Sequence, residues 1–321
     1  MILAATAACS AQADEEDGAA SSDSALVSDT CPERAAHPSW IQTRTLDMNG
    51  ARLRVGSMGS GARGDVLYLH GFADRFDNHR PLFERFVAAG LRVITFDYPS
   101  HGESCKRSIG SFGFTGLAQL AGRVVAELDG GSSKPLYVAG WSTGGLLAVR
   151  LAQGLGESSL PRPIAAMALF TPGVDVRTFS PATNPASGVT DATLTRNPSP
   201  PHVGPPKPSW IGAVPAFATE LLANEQLSRA PLPAGLPVLV MTGGEETDRY
   251  AVTGGITAWA ERQSRSGALV SALGCAGGFH EIDNEPEPMG SAVRDAAASF
   301  LASGGTDAVA SGGGCAPLLA P

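Results

Sequence analysis

The sequence predicts an α/β protein whose mainly parallel sheet is covered by helices on both faces, and three observations carry that reading. Short continuous apolar runs alternate with segments whose apolar residues recur at helical spacing, the pattern of buried strands joined by crossover helices. Asn49-Gly50 separates two strand-like runs near the start, which adds an antiparallel hairpin. Pro135–Ala139, Gly140-Trp141-Ser142-Thr143-Gly144 and Gly145–Ala152 read in turn as a strand, a sharp turn and a helix.

The elements follow in order. Structure is expected to begin near Trp40, with Ile41–Met48 and Ala51–Met58 as the hairpin strands. Val66–Leu69 is a buried strand that runs into His70-Gly71-Phe72-Ala73. Leu82, Phe83, Phe86 and Val87 share one face of a helix over Pro81–Ala89, closed by Gly90. Leu91–Phe96 is the next strand, ending at Asp97, and Thr115–Leu128 the next helix. The strand and helix around Ser142 come next, and Ile164–Phe170 is the sixth strand. Residues 171–235 break the alternation. Pro172–Pro208 is dense in Pro, Thr, Ser and Asn, and only Ser209–Leu227 has helical character. An insertion here reads as a lid over the site rather than an uninvolved surface excursion. Pro237–Met241 resumes the sheet, followed by a helix over Ala251–Gln263, a last strand Ala268–Leu273 and a last helix Ser291–Leu301. The expected organisation is a core of residues 37–170 and 236–303, a lid of 171–235, a loose Gly-rich tail of 304–321 and an N-terminal tether of 1–36.

Charge excludes one class of function. The chain of 321 residues has a net charge of −8, but residues 1–33 carry seven acids and no Lys or Arg, leaving 24 acids against 23 bases elsewhere. The folded part is therefore nearly neutral, with no basic run to argue for nucleic acid. No apolar stretch is long enough to cross a bilayer. Arginine outnumbers lysine and Ala and Gly abound, a composition that points to a bacterial source. Met1–Cys9 is short, apolar and ends in small residues before a cysteine, like the cleavage end of a bacterial lipoprotein signal, although it lacks a basic start. Three expectations stay open: a membrane tether through lipidated Cys9, a secretory remnant with export to the periplasm, or a cytoplasmic protein with a disordered N-terminus.

The pentapeptide at 140–144 carries the chemistry. A serine in a strained turn can present its hydroxyl at the top of a sheet only if the positions two before and two after lack clashing side chains, and Gly140 and Gly144 meet that demand. A serine hydroxyl is a poor nucleophile at neutral pH, so it needs a base, and the base needs a third group to fix its tautomer. In a strand-turn-helix setting the order should be Ser, acid, His. His37 lies at the tether's end, His70, His79 and His101 precede the serine, and His202 lies in the Pro-rich insertion, which leaves His280 after the last strand. The acid should follow Pro237–Met241, where Glu245, Glu246 and Asp248 are candidates. Asp248, directly before the Arg249-Tyr250 step into the next helix, is preferred; Glu246 serves if the turn carries no extra residues. Oxyanion donors are expected at the backbone N–H of Thr143, at the start of a helix, and of Phe72, after the third strand. His70 is expected to hold that loop.

These residues bear a resemblance. His70-Gly71-Phe72, Asp97-Tyr-Pro-Ser-His-Gly-Glu-Ser104, Gly140-Trp-Ser-Thr-Gly-Gly145, the loop near Asp248 and His280-Glu-Ile282 together resemble the α/β-hydrolase fold, nearest to its monoacylglycerol lipase and bacterial lysophospholipase branch, often grouped with serine aminopeptidase-like hydrolases. The second motif matches the family's D-x-x-G-H-G-x-S with Ser100 where a glycine is usual. The resemblance covers about residues 40–303 and implies ester hydrolysis through an acyl-enzyme, with monoacylglycerols, lysophospholipids or small acyl esters as substrates. Trp141, Trp210 and Phe217, with other apolar residues of the insertion, are candidates to line the acyl site. A serine aminopeptidase is the alternative, but it would need acids in the lid, where Pro172–Leu222 offers only Asp175, Asp191 and Glu220. A non-catalytic binding protein on the same fold is a third reading, although every triad member is present. Ser142 argues against dehalogenase and epoxide hydrolase chemistry, which call for a carboxylate there.

The five cysteines allow two disulfides if Cys9 is lipidated or removed. Cys105 and Cys275 both follow strands at the catalytic edge, and Cys31 and Cys315 both lie in tails outside the fold, so those pairs are expected. No C-x-x-C or H-E-x-x-H spacing occurs, so neither a metal nor a cofactor is called for.

Overall fold

The computed structural model describes residues 31, 39–156, 160–177, 191–202, 214–307, 309 and 311–319. The acidic tether with Cys9 lies outside the described residues. Two strands open the fold, β1 (Gln42–Met48) and β2 (Ala51–Met58), paired antiparallel around Asn49-Gly50, both of which adopt positive φ as the tight turn requires. Next come β3 (Gly64–Leu69), α1 (Arg80–Ala88), β4 (Leu91–Phe96), α2 (Gly113–Asp129), β5 (Leu136–Trp141), α3 (Thr143–Ala152) and β6 (Ile164–Phe170). The insertion contributes a single turn, α4 (Asp191–Leu194), and a longer helix, α5 (Val214–Leu227). The core resumes with β7 (Pro237–Thr242), α6 (Thr253–Arg265), β8 (Leu269–Cys275), α7 (Met289–Ala302) and a short β9 (Cys315–Pro317).

The sheet order is β1-β2-β4-β3-β5-β6-β7-β8-β9, parallel from β4 through β8 and antiparallel at both edges. Alternation within strands feeds two cores. Leu67, Leu69, Leu136 and Val138 face one side, which α2, α3, α5 and α6 cover; Val66, Tyr68, Tyr137 and Ala139 face the other, under α1 and α7. The strand order reverses at β3, which has β4 on one flank and β5 on the other. A crevice opens at the carboxyl ends of strands at such a switch point, because successive crossovers leave in opposite directions. The ends of β3 and β5 are where His70–Phe72 and Ser142 lie.

Two expectations fail at the edges. The tail is not loose throughout: Cys315–Pro317 pairs antiparallel with β8, so Leu269–Cys275 is the penultimate strand. The disulfides are Cys31–Cys105 and Cys275–Cys315 rather than the expected pairs. Cys105 bonds backbone to backbone with Arg52 of β2, whereas Cys275 ends β8. The strands between β2 and β8 separate them by about 29 Å at the usual inter-strand spacing, far beyond disulfide reach. Cys275 instead faces Cys315 in register across the β8–β9 pair.

Of the insertion, 171–177, 191–202 and 214–235 are described. Residues 191–202 lie against the loops that follow β7 and β8, and α5 packs over α2 and α3. Of the expected helix over Ser209–Leu227, Val214–Leu227 is helical, and 209–213 lie outside the described residues.

Candidate active site

The turn after β5 brings Ser142 to φ 53° and ψ −118°, a left-handed φ that a non-glycine residue holds only when its surroundings compel it. Three backbone bonds do so: Ser142 N–H donates to Phe170 O at 3.0 Å, and its carbonyl accepts from Leu146 at 3.0 Å and Gly173 at 2.8 Å. The glycines are required by contact. A Cβ on Gly144 would lie 2.0 Å from the Leu69 carbonyl oxygen, and one on Gly140 would lie 2.5 Å from that of Gly144. This close approach seats α3 directly on the end of β3.

Three side chains distant in the chain converge at that turn. His280 Nε2 lies 2.8 Å from Ser142 Oγ, and His280 Nδ1 lies 3.1 and 3.0 Å from the two carboxylate oxygens of Asp248. With its proton on Nδ1, the imidazole donates to Asp248 and offers Nε2 to the serine hydroxyl. Burial opposes ionisation of Asp248, but His280 beside it and the N–H groups of Ala251 and Tyr250 (2.9 and 2.8 Å) hold its carboxyl below the usual carboxylate value. The His280 carbonyl accepts from Trp141 Nε1 at 2.9 Å and Thr171 Oγ1 at 2.6 Å, so the end of β5 and the residue after β6 fix the histidine's loop from below. Rings of Trp141 and Tyr250 flank the imidazole, with centroids 5.4 and 5.1 Å away.

The loop after β3 is braced by two neutral histidines. His70 Nδ1 donates to its neighbour's carbonyl, Gly71 O, at 2.7 Å, and its Nε2 accepts from Tyr98 N–H at 3.0 Å. His101 Nδ1 donates to Pro99 O at 3.0 Å, and its Nε2 accepts from Ala73 N–H at 3.1 Å. Burial pushes the His70 imidazole down to about 4, and burial with His70 nearby pushes His101 down to about 3, so both keep an acceptor nitrogen at neutral pH. Fixing the Gly71 carbonyl also fixes the N–H of Phe72, which belongs to the same planar peptide and points the opposite way. The 97–104 motif is the buttress behind this loop: Asp97 accepts from the N–H groups of Phe76 (3.1 Å) and Glu103 (3.0 Å), and Ser104 Oγ donates to Asp97 O at 2.7 Å. Ser100 sits at φ 60°, which explains why a glycine would fit there.

A strand-turn-helix serine, a histidine after β8 and an acid after β7 are joined by the match of residues 66–312 to the family model described as "Alpha/beta hydrolase family". The chain belongs to the alpha/beta hydrolase family. Its structure is similar to that of the monoacylglycerol lipase of Paleococcus ferrophilus, with 22% identity, a TM-score of 0.64, and coverage of 78% of this chain and 99% of that one. It is also similar to a soluble variant of the Saccharomyces cerevisiae monoglyceride lipase in complex with a substrate analogue, at 17% identity, TM-score 0.62, and 87% and 100% coverage. The dihydrolipoyllysine-residue acetyltransferase component of the acetoin cleaving system of Cupriavidus necator is 35% identical over 127 residues, which span 39% of this chain and 31% of that protein. The chain thus matches about a third of the length of that curated relative.

Within this alpha/beta hydrolase the residues expected from sequence fall into two groups. Ser142, Asp248 and His280 come together, and Thr143 opens α3, whose first N–H groups have no partner inside the helix. Phe72 follows β3 within the same crevice. Glu246 is exposed on the same loop as Asp248, and the His280 Nδ1 position is taken by Asp248. Two of the lining candidates are buried. Trp141 is buried beneath His280 because alternation along β5 turns it into the core on the α1/α7 side, and its ring meets His79 on its far side. Phe217 is buried between the rings of Phe72 and Phe114, stacked at 5.0 and 5.9 Å. Trp210 lies outside the described residues. Thr171 and Tyr250 were not singled out from sequence; the only signal was their position directly after a strand and directly after the acid. A buried cluster of Asp74, His79 and Glu281 also escaped notice, its ligand-type atoms all within 4.8 Å of one another. Its histidine is already held between Asp74 at 2.8 Å and Asp283 at 2.7 Å, which satisfies both ring nitrogens without an ion.

Proposed function

We propose that this protein is a serine carboxylester hydrolase that works through an acyl-enzyme. The observation that carries the reading is the line from Asp248 through His280 to Ser142, at 3.0 and 2.8 Å. His280 takes the Ser142 proton as Oγ attacks the ester carbonyl, and Asp248, buried and ionised, stabilises the imidazolium that forms. The negative charge moving onto the carbonyl oxygen is met by the N–H groups of Thr143 and Phe72; loss of one such donor costs on the order of 10²–10³ in turnover. The imidazolium then protonates the departing alcohol, and neutral His280 activates water to release the acid.

Monoacylglycerols, lysophospholipids or small acyl esters are the substrate class favoured by the motif resemblance and by the similarity in fold to two lipases. In this reading residues 171–235 form the cap over the crevice. The two disulfides favour an oxidising compartment, in keeping with export. The aminopeptidase alternative gains little from the insertion's acids: Asp191 bonds His202, and Asp175 lies against Gly255 at the start of α6.

The test is fluorophosphonate labelling with competition by monoacylglycerol, lysophospholipid, short p-nitrophenyl ester and aminoacyl substrates. Ser142→Ala should abolish both labelling and hydrolysis while leaving the circular dichroism unchanged. Hydrolysis that survives in a folded Ser142→Ala variant removes the mechanism.

A further inference from the structure

His202 is a titratable side chain that the mechanism above does not use, and its place in the fold gives it a task. Residues 191–202 of the insertion run along the loop that begins at His280. Glu281 N–H donates to Leu194 O at 2.8 Å, Thr195 Oγ1 to Asn284 O at 2.9 Å, and Arg196 N–H to Glu285 Oε1 at 2.9 Å. Thr193 Oγ1 meets Tyr250 OH at 2.7 Å, beside the imidazole of His280. At the far end of this segment His202 spans two carboxylates: Nδ1 lies 2.8 Å from Asp191 Oδ1 and Nε2 lies 2.7 Å from Glu281 Oε2. The Glu281 side chain is 0% exposed and that of His202 only 7%.

We propose, on the basis of the hydrolase reading, that His202 is a positioning residue for His280, a charged pin that holds the insertion to the loop carrying the base. A fully buried carboxylate is tolerated only if cations and donors offset its lost hydration. Glu281 has Asn284 Nδ2 at 2.7 Å on Oε1 and His79 Nε2 at 3.8 Å, but Oε2 relies on His202. Without the His202 charge, Glu281 must take up a proton or shift toward other partners, and the residue before it in the chain is His280. Displacements of an ångström or less at a base cost turnover rather than affinity, because the base acts on the reacting proton and binds no remote part of the substrate.

The charged groups facing His202 are Asp191 from α4, Glu281 from the loop after β8, and Asp74 from the loop after β3, with His79 behind Glu281. Burial disfavours its charged form, but Glu281 and Asp191 outweigh that and push the imidazole up to about 9. In the folded protein the pin is therefore charged through neutral pH and is lost as pH rises through about 9, while its contribution to stability is complete below the ordinary value of about 6.5 and declines above it.

The experiment follows hydrolysis of p-nitrophenyl acetate by the full chain from pH 6 to 10.5, with circular dichroism recorded at each pH and fluorophosphonate labelling run alongside. Wild type should lose kcat with a midpoint near pH 9 while its dichroism is unchanged. His202→Gln should lower kcat about tenfold at pH 7, leave KM within about twofold, and abolish that alkaline midpoint. Asp191→Asn, which removes the outer, half-exposed partner, should move the midpoint down by about half a unit or more. A folded His202→Gln enzyme with wild-type kcat and an unchanged midpoint overturns the proposal, as does a wild-type midpoint that merely tracks loss of dichroism. If His202→Gln does not fold, an unmoved midpoint in Asp191→Asn overturns it. Absence of labelling in wild type overturns the hydrolase reading itself, a distinct result from labelling that is intact and indifferent to His202.

Discussion

At the scale of single residues, the acid of the proposed triad is the sharpest point. Asp248 and Glu246 share one short loop, yet Asp248 is 2% exposed and turned toward His280 while Glu246 faces solvent. The difference comes from the N–H groups of Tyr250 and Ala251, which both donate to Asp248 Oδ1 and fix its rotamer before the imidazole is considered. Asp248→Asn should therefore lower kcat on the order of 10⁴-fold, the magnitude seen when the same triad chemistry loses its acid and the histidine its tautomer. Glu246→Gln should leave kcat within about twofold, as surface substitutions do. Steady-state kinetics on a short p-nitrophenyl ester separate the two, and a larger loss at Glu246 would reverse the assignment.

At the scale of elements, the site is made by close approach. α3 can begin at the end of β3 only because Gly144 has no side chain, with the Leu69 carbonyl in the way of any Cβ. Gly144→Ala sets a methyl group against the backbone carbonyls of Leu69 and His70, so it should destabilise the protein by at least the roughly 1–3 kcal/mol of an overpacked core, read as a lowered melting temperature. The β8–β9 edge is a second such element. Its disulfide closes a loop with a sequence separation of 40 and ties the tail to the strand that leads into the His280 loop. Replacing both Cys275 and Cys315 by Ser should lower stability by about 2–4 kcal/mol, seen as an earlier thermal transition; any further shift on adding reducing agent then reports Cys31–Cys105 alone.

At the scale of the whole molecule, buried charge sets the response to pH. His79, fully buried, is raised well above its ordinary value: burial opposes its charge, but Asp283 and Asp74 on either side more than compensate. His202 is raised in the same sense, to about 9. Both are groups whose folded-state value exceeds the unfolded one, so both contribute stability that is complete below about pH 6.5 and declines as pH rises through the folded values. For His202 alone the loss amounts to about 3 kcal/mol, an order-of-magnitude figure. The melting temperature should thus fall between pH 7 and pH 10, and fall less in His202→Gln. Equal slopes in the two proteins would remove His202 as a source of the effect.

What the sequence determined by itself is local. Period and turn chemistry placed the strands and helices, because apolar alternation and Asn-Gly or Gly-rich turns act over a few residues. The serine and the histidine were legible for a related reason: a strained turn needs glycines at fixed spacing, and chain order eliminated the other five histidines. Lateral position, by contrast, follows from packing in three dimensions. Nothing in a linear pattern says that Cys105 and Cys275 stand near opposite edges of the sheet, that Trp141 is buried under His280, or that His202 reaches Glu281. Those outcomes depend on strand order and on which buried charges find compensation, and both are set by contacts between residues remote in the chain.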